Sequence, residues 1–302
     1  MNYIKDRLIK LASCLIFDKN KRKSWRNKHL KNTPEHIKLF MTLLVKNEED
    51  ILENNIRFHK AMGVDGFIVT SHNSTDNTNV ILKKLKEEGI VNEIIYETSP
   101  KYEQATFVDR MIKIAKDKYK ADWIINADAD EFFYAENHNL KKGIFDADVA
   151  GLNCIVPDII NYFSEDKENY LYEGCLFYKR TKMWTKVIHN TKDYMKICMG
   201  NHNVDMKNKN KRLNTSDIYI YHYHIRNYKG YEEKVKRYID TELAPNVGTH
   251  MQYMIDLYKN GRLIEDYNAR YGDDVKNKLL REGNVLIDKN ISNFLNKNFG
   301  DN

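Results

Sequence analysis

Cysteine is scarce in this chain, and so are proline and long apolar runs. The four cysteines among 302 residues, Cys14, Cys154, Cys175 and Cys198, are scattered without a CxxC pair or a pairing rhythm. That argues against a disulfide framework or a zinc site and fits reduced thiols in a cytosolic protein. Only four prolines occur beside 42% hydrophobic residues, which excludes wholesale disorder and leaves material for a sizeable core. No apolar run approaches the roughly 20 residues that a spanning helix requires. Two nucleotide signatures are missing as well: neither GxxxxGKS/T nor, after the first expected strand, GxGxxG is present. Phosphate-loop and nicotinamide-binding readings thereby lose their main support, so any bound nucleotide is held by side chains, a metal ion or both.

Acidic residues are few at one end. Residues 1–31 contain only Asp6 and Asp18 against many Lys and Arg, although the net charge of the whole chain is just +6. Ile4, Leu8, Leu11 and Leu15 recur there at helical spacing. An amphipathic helix followed by a basic stretch is expected, suited to an anionic membrane surface, with an extra helix packed on the domain as the alternative. Charges punctuate the apolar residues and no convincing small-residue cleavage site follows, which argues against a secretory signal.

What is present begins at residue 37. IKLFMTLLV is a near-continuous apolar run, as expected of a strand buried on both faces of a parallel sheet. Three further strands are expected in VDGFIVTSH, IVNEIIYET and DWIINAD, separated by amphipathic helices that stop at Gly63 and Gly89 and near Tyr119. Strict alternation over about 95 residues predicts an α/β, doubly wound, mostly parallel sheet. Beyond it come strand-like segments in VAGLNCIVPDI, GCLFYKR, MWTKVIHN, YMKICMG and DIYIYHYHI, then helices from residue 228.

In such a sheet ligands sit beyond the carboxyl ends of the strands. The fourth strand runs into Asp128, Asp130 and Glu131 (WIINADADEFFY), and clustered carboxylates of this kind call for positive charge. Asp128 and Asp130 stand at i and i+2, on one side of an extended segment, and so suit a hard divalent cation such as Mg²⁺ or Mn²⁺ bridging diphosphate oxygens. In YIYHYHIRNY, His222 and His224 share a strand face beside Arg226, fitting a metal ligand with phosphate contacts; which histidine serves is open. SHNSTDNT places Asn73, Ser74 and Asp76 at a strand-to-helix turn, where capping and hydrogen bonds to a base or ribose are both open to Asp76. Glu48 suits either that pocket or the first turn of a helix.

These stretches, in this order from about residue 37 to 240, resemble family-2-type glycosyltransferases of the GT-A fold, in the bacterial group that builds surface polysaccharide such as lipopolysaccharide and capsule. The resemblance implies a GT-A-like catalytic domain over residues 36–227, flanked by a basic extension over 1–35 and a helical C-terminal region over 228–302. It also implies a nucleotide-sugar donor, a UDP-sugar above all, and a glycan or glycolipid acceptor. Asn47, Glu48, Asn73, Ser74 and Asp76 would line the nucleoside pocket. Asp128 and Asp130 would bind the metal with His222 or His224, and Lys186 and Arg226 would stabilise the leaving diphosphate. The family's base for an inverting transfer has no clear counterpart: Glu165–Asp166 stands early in the chain, and Asp158 and Asp205 (the latter near His202) are the candidates. The expected location is the cytoplasm or the cytoplasmic face of the inner membrane. Acceptor selection is expected in segments 157–173 and 200–216. The competing readings are a metal-dependent nucleotidyltransferase and a non-catalytic carbohydrate- or nucleic-acid-binding protein using its 20 tyrosines. Nucleic acid is disfavoured because the acidic cluster would repel a phosphate backbone.

Overall fold

The computed structural model describes residues 33–179, 185–208, 212–213, 217–240 and 249–300. The amphipathic helix expected over residues 1–31, with its membrane contact, lies outside the described residues. Among the described residues no helix is long and apolar enough to cross a membrane.

The first half alternates as the apolar runs require: β1 (Leu39–Val45), α1 (Leu52–Ala61), β2 (Gly66–His72), α2 (Thr78–Glu87), β3 (Val91–Glu97), α3 (Gln104–Asp117) and β4 (Trp123–Ala127). Gly63 and Gly89 follow α1 and α2 at φ +100° and +74°, a left-handed backbone that ends a helix without a Cβ penalty. Four of these strands run parallel in the order β3-β2-β1-β4. The order reverses between β1 and β4, so the crevice beyond their carboxyl ends is the place for a ligand. Side chains of β1 alternate between two cores. Leu39, Met41 and Leu43 pack with Leu52, Ile56 and Phe58 of α1 and with Leu82 and Leu85 of α2. Phe40 turns the other way, with Ile68 and Ile124, against Val108, Met111 and Ile112 of α3. Burial on both faces is why β1, β2 and β4 read as largely apolar runs, whereas β3 at the sheet edge is only partly buried.

Two elements after β4 are not foreseen by the sequence reading: β5 (Glu131–Ala135) and α4 (Leu140–Val149), the latter capped by Asn139 Oδ1 accepting from Lys141 N at 3.0 Å. The chain continues through β6 (Cys154–Ile155), β7 (Asp158–Asn161), β8 (Cys175–Tyr178), β9 (Ile188–Asn190), β10 (Tyr194–Ile197), β11 (Val204–Met206), β12 (Arg212–Leu213) and β13 (Ile218–His222). β9 extends the main sheet antiparallel to β4, followed by β6 and β12. β13 forms a second sheet, antiparallel to β5 and parallel to β7.

The C-terminal region consists of α5 (Tyr228–Asp240), α6 (Thr249–Lys259), α7 (Leu263–Tyr271), α8 (Asp273–Arg281), β14 (Val285–Asp288) and α9 (Asn290–Phe299). It does not stand apart from the domain at residue 228. β14, a strand where only helices are expected, pairs with β8. Phe294 of α9 packs edge-on against Phe58 of α1, ring centroids 5.0 Å apart. Such pairs contribute about 0.5–1.5 kcal/mol beyond their buried area.

Candidate active site

The acidic cluster sits at the turn from β4 into β5, on the reversal point of the sheet. The turn is closed by its own atoms: Glu131 N donates to Asp128 O at 3.2 Å, and Asp128 N donates to Glu131 Oε2 at 3.1 Å. Antiparallel pairing then sets His222 opposite Glu131, and Tyr223 N donates to Asp130 O at 2.8 Å. That register brings His222 Nε2 to 3.7 Å from Asp130 Oδ2. Asn161 Oδ1, 3.0 Å from His222 Nδ1, can only accept, so it holds the proton on Nδ1. Burial opposes charge on the ring, but Asp130 raises the His222 pKa, so without a bound cation Nε2 favours a proton directed at the carboxylate. Asp130 Oδ1 is buried without a hydrogen-bond partner. Burial works to raise the pKa of Asp130, yet His222, with Arg226 and Lys234 behind it, carries it well below the ordinary carboxylate range.

Part of the positive charge that the cluster demands comes from the protein. Lys186, almost fully buried, places Nζ 2.7 Å from Asp128 Oδ2 and 2.9 Å from Glu131 Oε1. Desolvation opposes its charge, but the two carboxylates raise its pKa. Glu131 is itself fully buried, and desolvation pushes it up to about 7 against the pull of Lys186. Lys186 is therefore committed to the aspartate cluster rather than free for a leaving diphosphate.

Arg226, just past β13, meets the exit of β1. It contacts Glu48 Oε2 at 3.2 Å and binds Asp50 through two nitrogens at 2.7 and 3.1 Å. Arg237 of α5 reaches Glu48 Oε1 and the Lys46 carbonyl, each at 3.2 Å. Burial raises Glu48 to about 7 even against both arginines, with Asp130 adding to the rise. Lys234, one turn before Arg237 on α5, lies in the electrostatic field of Asp130, Asp128 and Glu48.

The expected nucleoside residues do gather at the ends of β1 and β2, largely as a lattice of loop-to-loop bonds. Asn47 Oδ1 accepts from Thr75 N at 2.8 Å, and Asn47 N donates to Ser74 Oγ at 3.3 Å. Asp76 accepts from Thr78 N at 3.0 Å and Glu49 N at 3.1 Å, so both its oxygens serve backbone donors at the start of α2 and in the β1 exit. Asn73 Nδ2 donates to Ser99 O at 3.1 Å. Asn47 and Asn73 occupy left-handed backbone, φ 55° and 50°, a conformation that Asn tolerates better than most residues. Tyr102, in the loop after β3, stands beside this rim with its ring 5.6 Å from that of His72, in the field of Asp128.

Four sequence expectations require correction. β13 ends at His222, so His224 lies beyond the strand, but its ring stays beside that of His222, centroids 5.2 Å apart. Its Nε2 lies 3.3 Å from the Tyr271 hydroxyl, its buried Nδ1 has no hydrogen-bond partner among the described residues, and burial lowers its pKa to about 3. Asp158 opens β7 three residues before Asn161, so in an extended strand its side chain points to the opposite face from the Asn161 amide that holds His222. Asp205 is exposed on β11 in the hairpin opposite Lys196. Neither of these two has a described contact with the cluster. Glu165, expected in a flexible loop, is a fixed staple that accepts from Leu176 N at 2.9 Å and pairs with Lys167 and Lys276, each at 3.3 Å.

Residues not foreseen hold the turn from behind. Asn55 of α1 donates from Nδ2 to Ala129 O at 2.9 Å and to Glu131 O at 2.8 Å. One turn later, His59 Nδ1 lies 2.8 Å from Asn55 O, while its Nε2 accepts from Phe133 N at 2.9 Å. Two fully buried polar side chains at i and i+4 on an otherwise apolar helix face were the available signal.

Among the described residues no three His, Cys, Asp or Glu converge as a ready-made metal cage. The donor chemistry present is a pair, Asp130 and His222, beside Asp128 with one oxygen outside its lysine bond. An oxygen donor without a partner and an imidazole held in one tautomer fit a divalent ion completed by substrate oxygens and water.

The model of glycosyltransferase family 92 matches residues 42–260. Structurally similar proteins include residues 1–349 of TarS from S. aureus, at 12% identity and TM-score 0.41, covering 80% of this chain and 74% of that one. The same fragment in complex with UDP gives the same figures. Another is glucosyl-3-phosphoglycerate synthase from Mycobacterium tuberculosis in complex with Mg²⁺ and UDP, at 16% identity and TM-score 0.29, covering 41% of this chain and 44% of that one. No curated protein sequence matches the chain.

Proposed function

From the premise that the chain belongs to glycosyltransferase family 92, we propose that it moves a sugar from a UDP-sugar to a hydroxyl of a surface glycan or glycolipid, with a divalent cation at Asp130 and His222. Family membership makes it a glycosyltransferase, a function shared with the family-2-type enzymes that its motifs resemble. The observation that carries the finer reading is the convergence of the Asp128–Glu131 turn, His222, Arg226 and Glu48 on the point where strand order reverses.

A bound Mn²⁺ or Mg²⁺ would supply positive charge to the diphosphate. The chain's own residues do the rest. Lys186 fixes Asp128 and Glu131, so the turn stays closed around its charges. Asn161 orients His222, and Asn55 clamps the backbone on either side of Asp130. Arg226 and Arg237 keep Glu48 and the β1 exit in place. Tyr102 offers an aromatic face at the nucleoside rim, and base-to-aromatic stacking contributes about 1–3 kcal/mol. Tyr102→Ala is accordingly expected to weaken UDP binding by roughly tenfold or more with little change in thermal stability. Calorimetric titration of both proteins measures this; equal affinities would remove Tyr102 from the pocket.

The function as a whole is tested by a thermal-shift screen against UDP, GDP, CDP and CMP, each with Mn²⁺ or with chelator. Stabilisation by UDP only in the presence of metal is the expected result. A folded sample that responds to no nucleotide would overturn the reading, and a response to GDP or CDP alone would reassign the donor.

A further inference from the structure

Building on that reading of the site, we propose that Lys234 of α5 is the side chain that contacts the diphosphate of the nucleotide-sugar donor. Among the described residues four basic side chains act on the acidic cluster or its neighbour Glu48, and three are already engaged. Lys186 lies between Asp128 and Glu131. Arg226 is shared by Glu48 and Asp50, and Arg237 by Glu48 and the Lys46 carbonyl. Lys234 is the fourth. No ion pair or hydrogen bond to its amine is formed among the described residues, although Asp130, Asp128 and Glu48 all act on it electrostatically.

Its position is fixed by packing. Tyr231 and Val235 bury the adjoining face of α5 against Met254, Ile255 and Tyr267, which sets the rotation of the helix. Lys234 and Arg237 stand at i and i+3 and so look toward the same side, where Arg237 meets the exit of β1. Lys234 is thus held near Asp130 by the helix rather than drawn there by a bonded carboxylate. Desolvation lowers its pKa, with Asp130 opposing, so the ammonium is poorly solvated where it stands. A half-buried ammonium without a partner is unfavourable until an anion reaches it, and a cation placed in advance is what a charged ligand group needs. The bland alternative is that Lys234 only balances the negative field around Asp130, in which case its loss would weaken the fold and leave ligand binding alone.

The two are separated by titrating wild type, Lys234→Met and Lys234→Arg with UDP and with uridine in the presence of Mn²⁺, alongside their melting temperatures. Methionine keeps the apolar stem and removes the charge. The expected result is UDP affinity about 10- to 100-fold weaker in Lys234→Met, uridine affinity within about twofold of wild type, and partial recovery in Lys234→Arg. Unchanged UDP affinity, or parallel losses for UDP and uridine, would overturn the assignment. A wild type that binds none of UDP, GDP or CDP would instead overturn the donor-site reading on which the assignment rests. If wild type selects another diphosphate, the same comparison is made with that compound and its nucleoside.

Discussion

Replacing Asp130 by asparagine is expected to lower turnover by at least about a hundredfold while leaving a folded protein. Asparagine keeps the shape and removes the charge, and with it the carboxylate oxygen that no protein group satisfies. Like-charge repulsion alone would have the substitution stabilise the fold, since Asp128 and Glu131 stand beside it. The local field has the opposite sign. His222, Arg226 and Lys234 outweigh desolvation and hold the Asp130 pKa down, so the folded state favours the charged form. Asp130→Asn should therefore melt somewhat lower than wild type at neutral pH, and the difference should shrink as the pH falls below the ordinary aspartate range. Mn²⁺ titration in the presence of UDP gives a second readout, with metal affinity expected to fall in step with turnover. Turnover within a few-fold of wild type, with metal affinity intact, would remove Asp130 from the proposed site.

The largest stability effect is expected at His59. Exchange for leucine strips the acceptor from the buried Phe133 N and a second donor from Asn55 O, and should cost about 2–3 kcal/mol at pH 7.5. The loss should depend on pH. Burial lowers the folded-state pKa of His59 to about 3, against an ordinary value of 6.5. Below about pH 6.5 the unfolded wild-type chain takes up a proton that the folded one refuses, so wild type loses about 1.4 kcal/mol per pH unit from this residue, down to about pH 3. The leucine variant has no such proton. The gap between the two proteins should be widest above pH 6.5 and narrower by about 2 kcal/mol at pH 5. His189, Glu48 and Glu131 titrate in both proteins and cancel in the difference. Urea unfolding at the two pH values makes the comparison; a gap that does not move would mean that His59 is not held neutral in the core.

How much of this could be read from the chain depended on the range of the interaction. β1, β2 and β4 were legible because burial on both faces leaves a largely apolar signature, and β3 because it alternates with helices. The reversal between β1 and β4 depends on strand order, which alternation does not carry. Asp128 and Asp130 were legible because carboxylates directly after a buried strand are costly without a partner. His222 and His224 could not be told apart, since that required knowing that β13 stops at His222. Lys186 was visible as a cation but not as the partner of Asp128, a contact across 58 residues. Lys234 and Asn55 were harder still. In YKGYEEKVKRYID several charged residues compete for notice, and which one meets the site depends on how Tyr231 and Val235 seat the helix. Asn55 looks like an ordinary polar helix residue until the turn that it clamps is in place. β5 was hidden because FFYA lacks alternation when both faces are covered, as they are here.

The packing of Phe294 on Phe58 has a consequence for how the protein comes into being on the ribosome. Phe58 belongs to α1 and Phe294 to α9, the last described helix, and the same core cluster includes Ile291 and Leu295. The segment around α1 therefore emerges with part of its core open to water and must wait until α9 has been made. Contacts of such separation slow folding and lengthen exposure to aggregation. A message cut short before α9 would yield a chain that carries the Asp128–Glu131 turn, His222 and Lys234 yet cannot close the core behind them, a product for the cell's proteases rather than a smaller enzyme.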